Sequence, residues 1–551
     1  MSVFAFILLI IAAVLVVAVP VVLQRRRNRL VPRHAFDDGG EPVTVRGGTR
    51  VYRGNTLRHD ESGLWELTVA GGDFDRGFAI GKLTEDLLYY QEKVFVEQIR
   101  RLVPSNRYLR FLRCFILFYN RNLGANVAEE YRNEIYGLSR FCSDDWNVIG
   151  SAYKRQLNYH SAHDIGHALQ DYMMVGCSSF ACRGHCSADG KLIVGRNFDF
   201  WAGDDFARNK IVQFVFPEKG WRFASVSWPG MVGVLSGMNE KGLTVTINAA
   251  KSALPLSAAT PISLLTREIL QYASTIEEAV AIARCRRTFV SESILVGSAA
   301  DGAAVVIEKS PRRMALCEMA DDCLLSTNHF QSEAFRRDRH NRRNMATSDS
   351  VYRLHRLRQL LDAGPVDALR AAAILRDRNG IDGKELGMTN EAAINQLIAH
   401  HSVIFRPEDL LMWVSAPPWQ CGKYLCYDLK RIFAREKDFF GALSESEAAL
   451  PADAFLSSKD YQNLQVYRSM KAGIEMATAA RRKVEPETIS QFLASNPSFY
   501  YVYELIGNYC LSLGNKTEAC RYWRKALDFP LPKAEVRTSL EKKLRKHGKK
   551  S

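Results

Sequence analysis

From Cys177 to Ala250 the sequence breaks into short runs rich in Val, Ile, Phe and Trp, divided by Asp-Gly, Pro-Gly and Lys-Gly steps. Runs of that length between turn-forming dipeptides read as successive β-hairpins. A helical insert follows at about 261–285, then the strands "ESILVGSA", "AAVVIEKS" and "CLLSTNHF", the first two divided by Asp301-Gly302. Helical patterns dominate 350–400, and "LLMWVSAP" closes this part as a late strand. Strands, helices and strands again in one chain point to an α+β layered domain rather than a doubly wound parallel sheet. Neither a dinucleotide-binding nor a phosphate-loop glycine pattern is present.

The flanks differ in character. Val3 to Leu23 is an unbroken apolar run containing one proline, Pro20, long enough to cross a bilayer. No Lys or Arg precedes it, which favours an uncleaved transmembrane anchor (1–24) over a secretory signal. Arg25, Arg26, Arg27, Arg29 and Arg33 follow it, so the positive-inside rule predicts a single-pass protein with its bulk in the cytoplasm, a periplasmic or extracytoplasmic placement staying open. Residues 25–62, rich in Arg and Gly, read as a linker, and 63–176 as a largely helical front segment with a first strand near "LWELTVAGG". The net charge of +14 comes with no zinc finger, phosphate loop or basic and aromatic interleaving, which argues against nucleic acid and for an anionic membrane surface. The twelve cysteines lack the density of a secreted disulfide scaffold.

Beyond a central domain at 177–440, residues 441–551 read as a helical extension. In "YELIGNYCLSLGNKTEACRYWRKALDFP", Tyr503, Ile506, Gly507, Ala519, Trp523, Ala526 and Pro530 fall at the spacing of a tetratricopeptide unit. One unit cannot bury its own face, so it is expected to dock on the central domain or on a degenerate neighbour in 456–500, and it offers a surface for protein contact.

The chemistry is concentrated in "MMVGCSSFACRGHCSADGKLIVGRNFDF", Met173 to Phe200. A nucleophilic cysteine needs a base, a thiolate-stabilising environment and donors for an oxyanion. Its own α-amine, which titrates near neutrality, can be the base if the preceding peptide bond is cut. Here the sequence resembles the cysteine N-terminal-nucleophile hydrolases of the choloylglycine hydrolase and isopenicillin N acyltransferase group. The resemblance implies self-cleavage at Gly176-Cys177, with Cys177 as nucleophile and Arg196 and Asp199 holding substrate and amine. "GMNEKGLTVTINAA" is similar to the family's next hairpin and implies Asn248 as an oxyanion donor. "LLSTNHF" implies a second active-site Asn, Asn328, and "SVYRLHRL" a second arginine, Arg353. "GGDFDRGFAIGKL" resembles a glycine signature of acyltransferase-type members, at Gly72, Gly77 and Gly81, and "MWVSAPP" their closing strand.

The resemblance covers roughly 64–430 and implies a four-layer α/β/β/α sandwich acting on the amide bonds of N-acyl compounds through an acyl-cysteine. It implies no metal and no resident cofactor, with acyl-coenzyme A as an acyl donor if transfer dominates. A peptidase of a related family and an inert, membrane-tethered helical-repeat adaptor are the competing readings. Other residues have rival assignments. Cys177, Cys182, Cys186 and His185 form one close cluster where structural zinc ordinarily shows two. His160, His163 and His167 share a helical face with Asp164 alongside, the metal reading standing against ordinary packing. "RRDRHNRR" at 336–343 reads as a solvated basic loop or a site for an anionic substrate or headgroup.

Overall fold

The computed structural model describes residues 31–34, 39–102, 105, 107, 109, 116, 120–161, 174–201, 203–252, 259–288, 290–435 and 439–548. The apolar run at 3–23, the arginines at 25–29, and His163, Asp164 and His167 lie outside them. No helix among the described residues is long and apolar enough to cross a membrane.

The strands are β1 (Thr44–Arg46), β2 (Thr49–Tyr52), β3 (Asn55–His59), β4 (Trp65–Gly71), β5 (Met174–Val175), β6 (Ser178–Gly184), β7 (Gly190–Phe198), β8 (Phe200–Trp201), β9 (Ile211–Pro217) and β10 (Phe223–Ser227). They continue as β11 (Ser236–Asn239), β12 (Leu243–Ala249), β13 (Glu292–Ser298), β14 (Ala303–Lys309), β15 (Met314–Glu318), β16 (Cys323–Ser326), β17 (His401–Arg406), β18 (Leu411–Ser415), β19 (Tyr424–Asp428) and β20 (Glu445–Leu450). Among the described residues an 11-stranded sheet runs β1-β2-β3-β4-β9-β10-β11-β12-β13-β14-β15, and a 7-stranded sheet runs β16-β6-β7-β17-β18-β19-β20. The larger sheet is antiparallel except where β4 lies parallel to β9, from Trp65 opposite Ile211 to Gly71 opposite Pro217. Residues 44–59, expected as linker, therefore form strands, and β20 occupies a stretch expected to be helical. All are short and polar, so their apolar alternation was too weak to read.

Alternation along the strands sorts the core. Leu192 and Val194 of β7, Val403 and Phe405 of β17, and Met412 and Val414 of β18 meet Val212, Phe214, Ala224, Val226, Leu295 and Val306 of the larger sheet in one cluster between the sheets. The intervening Ile193, Ile404 and Trp413 face the other way, onto α8 (Ser350–Asp362) and α9 (Ala368–Leu375). The outer face of the larger sheet, through Val245, Ile247, Ile294 and Ile307, packs on α1 (Asp73–Leu83), α2 (Glu85–Leu102), α3 (Glu129–Ser139), α4 (Ala152–His160), α5 (Ile262–Tyr272) and α6 (Ile276–Cys285). Period-two burial on both faces makes each sheet a filling between two apolar layers.

The glycine signature of the front segment is a helix crossing. A Cβ on Gly77 would stand 1.9 Å from the Glu134 carbonyl oxygen, and one on Gly137 would stand 2.5 Å from that of Phe74. Backbones this close admit no side chain. The same crossing carries a buried ion triad, with Glu134 accepting from Arg76 at 2.8 Å and from Arg267 of α5 at 3.3 Å. Gly77→Val should separate α1 from α3, break that triad and cost about 3 kcal/mol or more. Chemical denaturation of the purified variant measures it, and an unchanged midpoint would refute the crossing.

The C-terminal helices are α11 (Lys459–Ala480), α12 (Pro486–Ser495), α13 (Tyr500–Ser512), α14 (Lys516–Leu527) and α15 (Ala534–His547), after α7 (Arg339–Thr347) and α10 (Leu429–Phe433) earlier in the chain. Gly507 of α13 lets α14 in: a Cβ there would stand 2.5 Å from the Trp523 ring. The extension docks on the sandwich, its core of Leu464, Tyr467, Phe492, Phe499 and Val502 continuing into Leu397 and Cys421. Asn496 seals the seam, its amide donating to the Met388 carbonyl at 2.9 Å and accepting from the Met388 N–H at 3.0 Å.

Candidate active site

Hairpin register builds the centre. The pairing of Ser178 with Asn197 and Ser179 with Arg196 leaves Cys177 just ahead of β6 beside the residues that follow β7. The Gly176 N–H donates to the Asp199 carbonyl at 3.1 Å, and the Cys177 sulfur lies 4.0 Å from the same oxygen. The chain entering the centre is fixed as a strand too, Met174 opposite Trp201 and Val175 opposite Phe200. The Asp189-Gly190 turn, with Gly190 at φ +80°, closes the hairpin at its far end.

Arg196 shares the strand face of Leu192 and Val194, so its side chain runs between the sheets. It is fully buried and sits 3.8 Å from the Cys177 sulfur. Its guanidinium also donates to the Ile247 carbonyl and to Ser236 Oγ at 2.7 Å, lies 3.2 Å from His401 Nε2, and stacks over the Phe198 ring. Arg353, from the first turn of α8, is equally buried. It donates to the carbonyl oxygens of Gly176 at 2.9 Å and Cys177 at 2.6 Å, to Ser178 Oγ at 3.0 Å, to Asn328 Oδ1 at 2.7 Å and to Asp349 at 3.3 Å.

The two asparagines are placed differently. Asn328 belongs to the centre through Arg353, its own amide donating to the Ala249 carbonyl at 3.0 Å. Asn248 bridges the sheets instead: its amide donates to the Ser326 carbonyl at 3.0 Å and its oxygen accepts from Ser179 Oγ at 3.1 Å. Its donors are spent on β16 in this arrangement. Sequence reasoning missed Ser236 and His401, which brace Arg196, and Gln396, whose Nε2 donates to the Gly176 carbonyl at 3.1 Å. Ser236 lies one residue before the Gly-Met-Asn-Glu motif, whereas Gln396 sits in an irregular loop with no motif around it.

Burial dominates the electrostatics. It pushes the Cys177 thiol up to about 11, with Arg196 opposing it and Asp199 and Glu292 adding to it. Burial pulls Arg196 down to about 10, which still leaves it charged at neutral pH. Asp199 is raised to about 8, again by burial, with Arg353 and Arg196 only partly offsetting it. Both of its carboxyl oxygens are buried without a hydrogen-bond partner. His400 and His401, 2.9 Å apart through their Nδ1 atoms, are pushed well below the usual imidazole range by burial and then by nearby cations, so they sit neutral.

The described residues among the rival assignments have local partners. No group of three or more His, Cys, Asp or Glu that could hold a metal ion occurs among the described residues. Cys182 faces Cys323 across the β6–β16 pair, sulfurs 3.8 Å apart. His160 is a packed hydrogen-bonder, Nδ1 on the Gln156 carbonyl at 2.8 Å and Nε2 accepting from the Val232 N–H at 3.0 Å. The basic run enters α7, capped by Asp338, and Asn344 on its far side donates to the Asn328 carbonyl at 2.6 Å.

Residues 186–417 match the family model described as acyl-coenzyme A:6-aminopenicillanic acid acyl-transferase. This segment is similar to that family, over less than half of the chain. The acyl-transferase match takes in Arg196, Asp199, Asn248, Asn328, Arg353 and Gln396, and begins beyond Cys177. The chain is 27% identical over 183 residues to an uncharacterized protein of Archaeoglobus fulgidus, spanning 31% of this chain and 30% of that relative's length. Among solved structures, a Caenorhabditis elegans N-acylethanolamine-hydrolyzing acid amidase ortholog is 18% identical, covering 42% of this chain and 93% of its own, at a TM-score of 0.30. A conjugated bile acid hydrolase variant of Clostridium perfringens is 12% identical, covering 46% and 93%, at 0.32. Penicillin V acylase of Agrobacterium tumefaciens is 14% identical, covering 46% and 87%, at 0.31. At such TM-scores the structural likeness carries no argument, and the resemblance to the acyl-transferase family rests on the sequence match.

Proposed function

We propose that the chain is a self-processing cysteine amidohydrolase or acyltransferase that cuts itself between Gly176 and Cys177 and then acts on the amide bonds of N-acyl compounds. The family match to residues 186–417 and the helix, sheet, sheet, helix layering support an N-terminal-nucleophile sandwich. The observation that carries the reading is Asp199. A buried carboxyl with no protein donor on either oxygen is costly, so it is a natural place for an incoming partner to bind. Cleavage before Cys177 would create an α-amine near Asp199, and its ammonium form would bring the Asp199 carboxyl down from its raised value.

In the processed protein the α-amine of Cys177 takes the thiol proton, and Arg196 beside the sulfur stabilises the thiolate. The thiolate attacks the substrate carbonyl carbon, forming a carbon–sulfur bond and an oxyanion. The carbon–nitrogen bond then breaks, the amine leaves with the proton, and water or an acceptor amine displaces the acyl group from sulfur. No metal or resident cofactor enters this scheme, and acyl-coenzyme A is the acyl donor if transfer dominates. The apolar run at 3–23 and the arginines after it support our reading of a membrane-associated protein, which favours lipid-like N-acyl substrates.

Intact mass and N-terminal sequencing of wild-type protein beside Cys177→Ala test this. The expected result is a new terminus beginning Cys-Ser-Ser in the wild type and a single uncut chain in the variant. A wild-type chain that stays uncut would remove Cys177 from the mechanism. Equal turnover of soluble short-acyl and lipidic amides would count against the membrane-linked substrate.

A further inference from the structure

The geometry points to Gln396 as the second oxyanion donor of the self-cleavage reaction, paired with Arg353 on the Gly176 carbonyl; this rests on the reading that the bond after Gly176 is the one cut. The Gly176 oxygen receives Arg353 Nη1 at 2.9 Å and Gln396 Nε2 at 3.1 Å. Two donors on one carbonyl oxygen, with a thiol beside the peptide, is the arrangement an acyl shift requires. Attack of Cys177 sulfur on the Gly176 carbonyl carbon forms a carbon–sulfur bond and places the negative charge on this oxygen. Breaking the carbon–nitrogen bond returns the double bond, and the thiol proton ends on the Cys177 nitrogen. Water then adds to the thioester, the carbon–sulfur bond breaks, and Gly176 leaves as a carboxylic acid with the thiol restored.

Three features hold Gln396 in place. It is 2% exposed, so no bulk water competes for its amide. The loop around it is fixed by Asn395, whose amide donates to the Arg376 carbonyl at 3.3 Å and whose oxygen accepts from the Leu397 N–H at 2.9 Å. Leu397 itself is held at φ +57°, a left-handed conformation that a leucine adopts only when its surroundings impose it. Part of that imposition comes from the C-terminal extension: Arg468 of α11 donates to the Leu397 carbonyl at 2.6 Å. Glycine at 176 belongs to the same device, since a Cβ there would stand 2.1 Å from Gln396 Nε2 and drive the amide off the carbonyl. Arg468 is thus a positioning residue for the donor beside Leu397.

The test follows the first-order appearance of the Cys177 terminus in the full-length chain. Wild type is compared with Gln396→Leu, Gln396→Glu, Gly176→Ala and the Gly176→Ala/Gln396→Leu pair. Gln396→Leu is expected to slow cleavage roughly a hundredfold, as loss of one oxyanion donor does. Gly176→Ala should act through the same amide, so the double variant should be little slower than either single one. Gln396→Glu keeps the volume and distinguishes chemistry from folding, because its cleavage should be slow at neutral pH and recover as acid restores an O–H donor. Wild type that cuts while the Leu and Glu variants cut at the same rate overturns the role of Gln396 alone. An uncut wild type overturns the cleavage reading and this inference together. A Glu variant that stays equally slow at every pH assigns Gln396 to packing and also overturns it.

Discussion

Arg353→Leu is expected to leave the chain uncut and to cost about 3–5 kcal/mol of folding stability, the largest combined effect of any single change at the centre. The guanidinium is fully buried and is shared among the Gly176, Cys177 and Ser178 backbone and side chain, Asn328 and Asp349. Its removal strips those acceptors of a donor and leaves Asp349 as a buried charge without this counterion. Melting curves and mass spectrometry of the purified variant report the two losses separately. An Arg353→Leu chain that cuts at the wild-type rate would remove Arg353 from the chemistry, whatever its stability.

Asp199→Asn should stabilise the uncut protein, and by an amount that depends on pH. The folded state holds the Asp199 carboxyl at about 8, against 3.8 for an ordinary aspartate, because burial disfavours its charge. Between those values the folded chain keeps a proton that the unfolded chain has released. Stability therefore falls as the pH rises through that window and levels off above it. In a Cys177→Ala background, where no cleavage intervenes, the Asn variant should pull ahead of its parent from pH 4 to 8. The gap should reach the order of a few kcal/mol and then stay constant. A gap that does not change with pH would show that the carboxyl is not held protonated. In the Cys177 background the same substitution removes the acceptor for the new α-amine and should abolish turnover.

The parts of this centre that could be read from the chain are those carried by recognisable motifs. Cys177, Arg196 and Asp199 were reachable only through the resemblance of their shared hairpin, closed by Asp189-Gly190, to the family's motif, and it is the fold that shows the arginine lying between the sheets. Arg353 and Asn328 were reachable through the order of their motifs, although only the fold shows that one holds the other. The direction of the Asn248 amide, toward Ser326 and Ser179, depends on β16 lying against β6, a long-range pairing with no local signature. Gln396 was invisible for a similar reason. The helical pattern read across 350–400 stops at Leu375, and the loop that follows is shaped by Asn395, Leu397 and the distant Arg468. The short β1–β3 strands failed another test, since Thr44–Arg46 is exposed throughout and offers no apolar period.

The parallel seam between β4 and β9 has a consequence for how such a molecule ages. Strands β1 to β4 and helices α1 to α4 all precede Gly176, yet β4 is an interior strand of the larger sheet and Glu134 is locked to Arg267 from beyond the proposed cut. If the bond after Gly176 is cut as proposed, a sheet that folded as one continuous chain is held by two. Heating or denaturant would then release partners that can meet again only by diffusion, so recovery would depend on concentration where the uncut precursor's does not. Maturation on this plan works as a ratchet: the lifetime of the active form is set by how slowly it opens, and its assembly cannot be repeated from its parts at cellular dilution.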